Sequence, residues 1–234
     1  MSQINNNFFL DDYKLFVADN FPNSSIIKEF NNPTFFETYK LIQKIIFHTD
    51  LCIDVAQTQG DQNFLKEIRN SYFELLYILP LHDDFISSSV FRGLAESVIR
   101  FIVYHEKKDT LEYSSVKGFS YTTLKEYYTD PENVNLYKIQ TDIQVYFNLF
   151  KVKSQIIHDP LANIGSFFYL NNFIESNSHQ YFRDLSKQLK LLWKFHRKTM
   201  GPLIGINYNQ ISLGNKSKIQ RLFTPSEIDD IYIT

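Results

Sequence analysis

Apolar residues recur every three or four positions through most of the chain, and short polar or proline-containing breaks separate the runs, a pattern that predicts long helices. Phe8 to Asn20 reads as a short amphipathic helix or arm. Thr34 and Glu37 have the form of a capping box, and behind them Tyr39, Ile42, Ile45, Ile46, Ile53 and Ala56 keep helical spacing until Gly60. Asp61 is placed to cap the next helix, whose stripe of Phe64, Leu65, Ile68, Tyr72, Leu75, Leu76 and Leu79 stops at Pro80. After a tight connection a third helix starts at Asp84, carries Val90, Leu94, Val98, Phe101 and Ile102 on its core face, and ends in the charged run from His105 to Asp109.

Residues 107 to 118 are polar and predict a loop, with a short helix from about Tyr121 to Tyr128. Pro131 opens a fourth long helix through Ile139, Ile143, Tyr146, Phe147, Phe150 and Ile157, which Asp159 and Pro160 terminate. Residues 161–174 are rich in Phe, Tyr and Asn and form either a turn of helix or an irregular wall over the core. Ser178 begins a fifth helix with Leu185, Leu189, Leu192, Trp193 and Met200 as its apolar positions, and Gly201-Pro202 ends it. Thr224, Pro225 and Glu227 then combine an N-cap, a proline at the first helical position and a capping-box glutamate. The expected layout is an arm or short helix over 1–33, a helical bundle over 34–205 and a tail with short helices over 206–234.

Composition sharpens this picture. Among 234 residues, 15 Tyr and 22 Phe supply a large core, while seven Gly and seven Pro are too few for a many-turned sandwich or barrel. The fold class is therefore all-α, with about five main helices. A net charge of −2 provides no global cation excess, so contact with nucleic acid requires a local patch. The lone cysteine, Cys52, lies in an apolar helical pattern and reads as a buried small hydrophobe, which fits a reducing compartment. The first residues lack a basic region followed by an apolar run, and no stretch reaches the roughly 18 apolar residues that span a bilayer. A cytoplasmic protein without a membrane segment is expected.

Polar groups interrupt the core pattern in two places. Arg92, Glu96 and Arg100 stand four residues apart inside an apolar helix, beside the small residues Gly93, Ala95 and Ser97. On the fourth helix Lys151, Ser154 and His158 share one face, while Lys153 points elsewhere. A histidine there is suited to general acid or base work near neutral pH, and Arg92 paired with Glu96 across from Ser154 and His158 would hold a phosphate. The fifth helix presents Lys187, Lys190, Lys194, Arg197 and Lys198 along one side, a path for an RNA backbone or an ordinary solvated face. The six histidines form no HExxH, the single cysteine excludes a thiolate zinc site, and no phosphate-cradling glycine loop or Gly-x-Ser-x-Gly elbow occurs. No cofactor is expected.

The run from Phe91 to Arg100, followed some fifty residues later by Leu149 to His158, resembles the HEPN superfamily, helical bundles that include many metal-independent ribonucleases of toxin–antitoxin and phage-defence systems. The resemblance covers roughly residues 60 to 200. In that family an arginine precedes a histidine by four to six intervening residues, and the pair, often doubled across a homodimer, cleaves RNA through attack of the 2′-hydroxyl. His158 matches the family histidine, and the arginine slot falls on Lys151 or on Lys153. A lysine keeps the charge but lacks the planar fork of a guanidinium. The resemblance thus implies either an RNA endonuclease of a prokaryotic defence or toxin–antitoxin system, with Arg92, Glu96 and Ser154 supporting the site, or a non-catalytic bundle that binds RNA or a partner protein. It also implies a homodimer or a complex with a defence-system partner.

Overall fold

Asn32 caps the first long helix two residues before the expected cap, with Pro33 as its first residue. The Asn32 side chain accepts from the Thr34 amide at 2.9 Å, and Pro33 fills the first helical position, where a missing N–H is harmless. Glu37 is thereby released from capping and accepts instead from Ser186 Oγ at 2.9 Å. The computed structural model describes residues 8–158 and 178–231, and the regular elements among them are helical. They are α1 (Phe8–Asn20), α2 (Ile26–Glu29), α3 (Pro33–Val55), α4 (Gln59–Ile78), α5 (Asp84–Lys107), α6 (Tyr113–Lys117), α7 (Tyr121–Thr129), α8 (Val134–Lys138), α9 (Gln140–His158), α10 (Ser178–Phe195), α11 (Gly201–Ile204), α12 (Leu213–Leu222) and α13 (Pro225–Ile231). The expected stop at Asp159 and Pro160 and the segment 161–174 lie outside the described residues.

The all-α expectation holds, and the differences lie at the helix ends. Thr58, not Asp61, caps α4, accepting from the Asp61 amide at 3.1 Å. Gly60 does not break the chain but sits in the first turn of α4, where a Cβ would run into the ring of Tyr104. Part of the expected loop before Gly118 folds as α6, because Val116 is buried and Tyr113 donates to Glu67 at 2.9 Å. The expected helix from Pro131 to His158 is divided. Asp130 accepts from the Glu132 amide at 2.9 Å and from the Asn133 side chain at 3.1 Å, a turn that delays α8 to Val134, and α9 begins only at Gln140. Gly201-Pro202 does not end the last long helix. A π turn over His196–Met200 leads into α11, which closes at Gly205 with φ +73°. The widened turn lies just before Pro202, which cannot donate and whose ring needs clearance from the preceding turn.

The long helices pack in the order α3, α4, α5, α9, α10, and α10 returns to α3 and also touches α9, closing a ring. The contacts of α5 with α9 and with α4 are the most extensive. At the centre His48 and His196 are fully buried, their rings edge-to-face at 5.7 Å. Tyr72 lies 3.3 Å from His196 Nε2 and 3.5 Å from the Tyr146 hydroxyl, and the Cys52 thiol is 3.7 Å from His48 Nδ1. Burial pushes the Cys52 thiol up, as it does the Tyr72 and Tyr146 phenols, so the whole cluster is uncharged.

Both flanks of the ring are tied to it. From α1 the Tyr13 hydroxyl donates to the Leu76 carbonyl at 2.8 Å, and Val17 and Ile26 are fully buried. From α13 Glu227 takes the nearly buried Lys44 ammonium on both oxygens, at 2.8 and 2.7 Å, and also accepts from Trp193 Nε1 at 2.7 Å. The Thr224–Glu227 capping box forms as expected. The two partners shift in ways that disagree if read singly. Burial lowers the Lys44 ammonium despite Glu227, whereas at Glu227 burial raises the carboxyl but hydrogen bonds from Lys44, Thr224 and Trp193 outweigh it and hold the group below its ordinary value. The two-oxygen grip at Glu227 makes its direction the one that describes the pair.

Two outcomes follow from this core. Burial lowers His48 to about 3 and holds His196 well below its ordinary value, so the folded state binds fewer protons than the unfolded chain at mildly acidic pH. Stability is full above the unfolded histidine value of about 6.5 and is lost as pH falls toward the folded one, at up to about 1.4 kcal/mol per pH unit for each histidine. Urea unfolding between pH 7 and pH 5 will show that slope, and His48→Leu will remove about half of it. Glu227→Ala, which strands the Lys44 ammonium, will cost about 3–5 kcal/mol in the same assay.

Candidate functional site

Helix α9 sorts its polar residues by the 100° each residue turns. Tyr146, Phe147 and Phe150 face the bundle; Lys151 and His158 fall along one edge of that apolar face and Lys153 along the other. Lys151 and His158 are both exposed and have no side-chain partner among the described residues. They stand seven positions apart, a rise of about 10 Å. Ser154 lies between them on the inner side, half-buried, its Oγ without a partner among the described residues.

Lys153 is turned inward. Its ammonium stands 5.6 Å from the centroid of the Phe91 ring, and burial lowers it while Asp84 partly restores it. It lines a cleft with His82, Asp84, Ser87 and Tyr181, residues that the sequence reading did not join to it.

The line on α5 is divided between two tasks. Glu96 pairs with Arg100 at 2.8 Å, not with Arg92, and Arg100 also donates to the Phe119 carbonyl at 3.1 Å, fixing the chain that leads into α7. Arg92 instead lays its guanidinium over the Phe150 ring at 5.3 Å, with Nε buried and unpartnered among the described residues. This corrects the expected Arg92–Glu96 pair. Phe150 precedes His158 by two turns, about 12 Å of helix, so Arg92 meets α9 one turn before Ser154 and well short of the histidine.

On α10, Lys187 pairs with Asp184 at 3.1 Å and Lys190 with Glu37 at 2.8 Å. Arg197 pairs with Asp230, which Lys198 approaches at 3.9 Å. Lys194 is exposed and makes no ion pair among the described residues. The cationic side is thus largely neutralised by carboxylates from α3, α10 and α13. Exposed pairs of this kind hold by about 0–1 kcal/mol, which leaves them open to exchange with a phosphate.

Two further polar clusters went unnoticed in the sequence. Asp61, nearly fully buried, holds His105 Nδ1 at 3.1 Å with Lys108 at 3.8 Å; burial would raise its carboxyl, but these contacts and the Thr58 hydroxyl outweigh it and keep the carboxyl low. The other is the cleft around Lys153. Among the described residues no group of three His, Cys, Asp or Glu side chains could hold a metal ion, and no helix is long and apolar enough to cross a membrane. No protein-family model, curated protein or solved structure matches this chain.

The difference between tied and free residues is measurable. Arg100→Ala will lower unfolding free energy by about 1–3 kcal/mol, because it leaves the Phe119 carbonyl and Glu96 without their charged donor. Lys151→Ala and His158→Ala will each stay within about 0.5 kcal/mol of wild type, as exposed substitutions do.

Proposed function

We propose that this chain is a HEPN-like helical bundle of a prokaryotic defence or toxin–antitoxin system and a metal-independent RNA endonuclease, with His158 as acid/base and Lys151 as the cation that holds the phosphate. The observation that carries the reading is the shared exposed edge of Lys151 and His158 on α9, at the spacing of the resembled arginine and histidine and with a lysine in the arginine slot. Lys153, the other occupant considered for that slot, stands over Phe91 on the opposite edge.

The chemistry required is modest. A base removes the proton of a 2′-hydroxyl, the resulting oxygen attacks the adjacent phosphorus, and the 5′-oxygen leaves with a proton from an acid, giving a 2′,3′-cyclic phosphate and a 5′-hydroxyl. Histidine suits both proton transfers, and a lysine ammonium offsets the charge that gathers on the phosphate. One chain offers one histidine on this edge, so a second copy would provide the second proton-transfer group, which makes a homodimer part of the proposal. The cations on and after α10, Lys194 foremost, are the candidates for contact with the RNA backbone.

A second reading has its own observation. Arg92, Glu96 and Arg100 are occupied by Phe150, by one another and by the Phe119 carbonyl, as residues of a packed interface are. On that reading the bundle binds RNA or a partner protein as the accessory subunit of a defence complex, and no residue of α9 cleaves anything.

Cleavage of a broad RNA panel at pH 6 to 8, with chelator present, separates the two. The endonuclease reading expects activity that falls by about 10²–10⁴ in His158→Ala and rises in Lys151→Arg, together with a dimer by light scattering. Intact RNA with wild type and with Lys151→Arg leaves the binding module standing.

A further inference from the structure

The start of α5, the C-terminal half of α9 and the first turns of α10 border a cleft of about 350 Å³, at the lower end of the usual size for a small-ligand pocket. Lys153 enters from α9, Asp84, Ser87 and Phe91 from α5, and Tyr181 and Asp184 from α10. Lys153 and Asp84 act on each other electrostatically but form no direct ion pair, and Asp184 adds a second carboxylate that acts on Asp84 unfavourably. Lys153 and Asp84 therefore share one concave space without a direct ion pair, whereas Asp184 at the rim is held by Lys187 at 3.1 Å and by Gln180 at 2.6 Å.

His82 forms part of the wall and carries two costs. Its φ is +49°, the left-handed region that a non-glycine residue occupies only at an energetic penalty. The ring is packed on Tyr181 and Phe182, each at 5.4 Å, with Nδ1 3.0 Å from Ser25 Oγ. Nε2 is buried as well and has no partner among the described residues, although the side chain is 8% exposed and lines the cleft. A buried polar atom left unpaired is uncommon and needs a reason, and a ligand atom in the cleft would be one.

We propose that this cleft binds a small zwitterion of the amino-acid class, its carboxylate held by Lys153, its ammonium by Asp84, and one more polar atom by His82 Nε2. The charge pattern selects that class. A phosphate or other simple anion on Lys153 would face the Asp84 carboxylate, and a diamine at Asp84 would face the lysine; a molecule with both charges a few ångströms apart meets neither penalty. Burial lowers the Lys153 ammonium and raises the Asp84 carboxyl, so a ligand carrying the two opposite charges would favour the charged form of each. The proposal is independent of RNA cleavage, because Lys153 lies on the edge of α9 away from Lys151 and His158.

The test titrates the full chain with each standard amino acid, with inorganic phosphate and with putrescine, read by thermal shift and by calorimetry. At least one amino acid is expected to raise the melting temperature at millimolar concentration, while its N-acetyl and its carboxamide derivatives, each lacking one charge, do not. Lys153→Met and Asp84→Asn should each weaken that binding at least tenfold, and so should His82→Asn, which tolerates the left-handed backbone. Unliganded melting curves identify any variant that loses its fold, and a variant that stays folded decides. The proposal is overturned if no amino acid binds, if phosphate or putrescine binds as tightly as the best amino acid, or if folded variants bind as wild type does.

Discussion

Two uncharged histidines hold the middle of this bundle, and the arrangement around them depends on their staying uncharged. His48 comes from α3 and His196 from the π turn after α10, while Tyr72 of α4 and Tyr146 of α9 complete the cluster. Four of the ring-forming segments meet at polar atoms, and a polar atom without water has few acceptable orientations. Adding a proton to either ring would place a charge among Trp193, Phe195 and the two tyrosines, with no carboxylate in contact with either ring among the described residues. His196 is the first residue of the π turn and is fully buried, so an irregular stretch of helix contributes to the centre of the ring.

The rotation of α9 follows from that cluster, and the sorting of its lysines follows from the rotation. With Tyr146 fixed against Tyr72 and against Phe195, at 4.9 Å, the helix can present only one edge to solvent and the other to the α5–α10 cleft. Two residues of sequence thus separate a solvent-facing ammonium from one stacked on an aromatic ring. Arg92 over Phe150 of α9 and Arg100 on the Phe119 carbonyl before α7 use cations of α5 as packing elements, a use that an i, i+4 spacing does not reveal.

The helical periodicity along the chain was legible because each apolar stripe is a local property of its own segment. The ends were less so. Asn32 with Pro33 outcompeted Thr34, Thr58 outcompeted Asp61, and Asp130 drew its neighbours into a turn where Pro131 alone suggested a helix start. In each case residues within three positions of one another offered competing starts, and the choice depended on tertiary fit, as with Gly60 under Tyr104. For the site, the side-sharing of Lys151 and His158 is a property of one helix and could be read directly. Whether Lys153 faced outward could not, since that depends on α5 and α10. The partners of Arg92 and Glu96, and the meeting of His82, Asp84 and Tyr181 with Lys153, are relations between segments distant in the chain that no spacing rule encodes.

The Lys44–Glu227 pair also has a consequence in time. The two residues are 183 positions apart, so at ordinary translation rates of about 5–20 residues per second Lys44 exists for about ten to forty seconds before its carboxylate is made. During that interval α3 cannot bury its lysine beside Trp193 at low cost, and until α10 itself is made the apolar surface of α3 that it covers stays open. The bundle is thus closed by one of the last helices to be made, α13, whose Glu227 completes the seam.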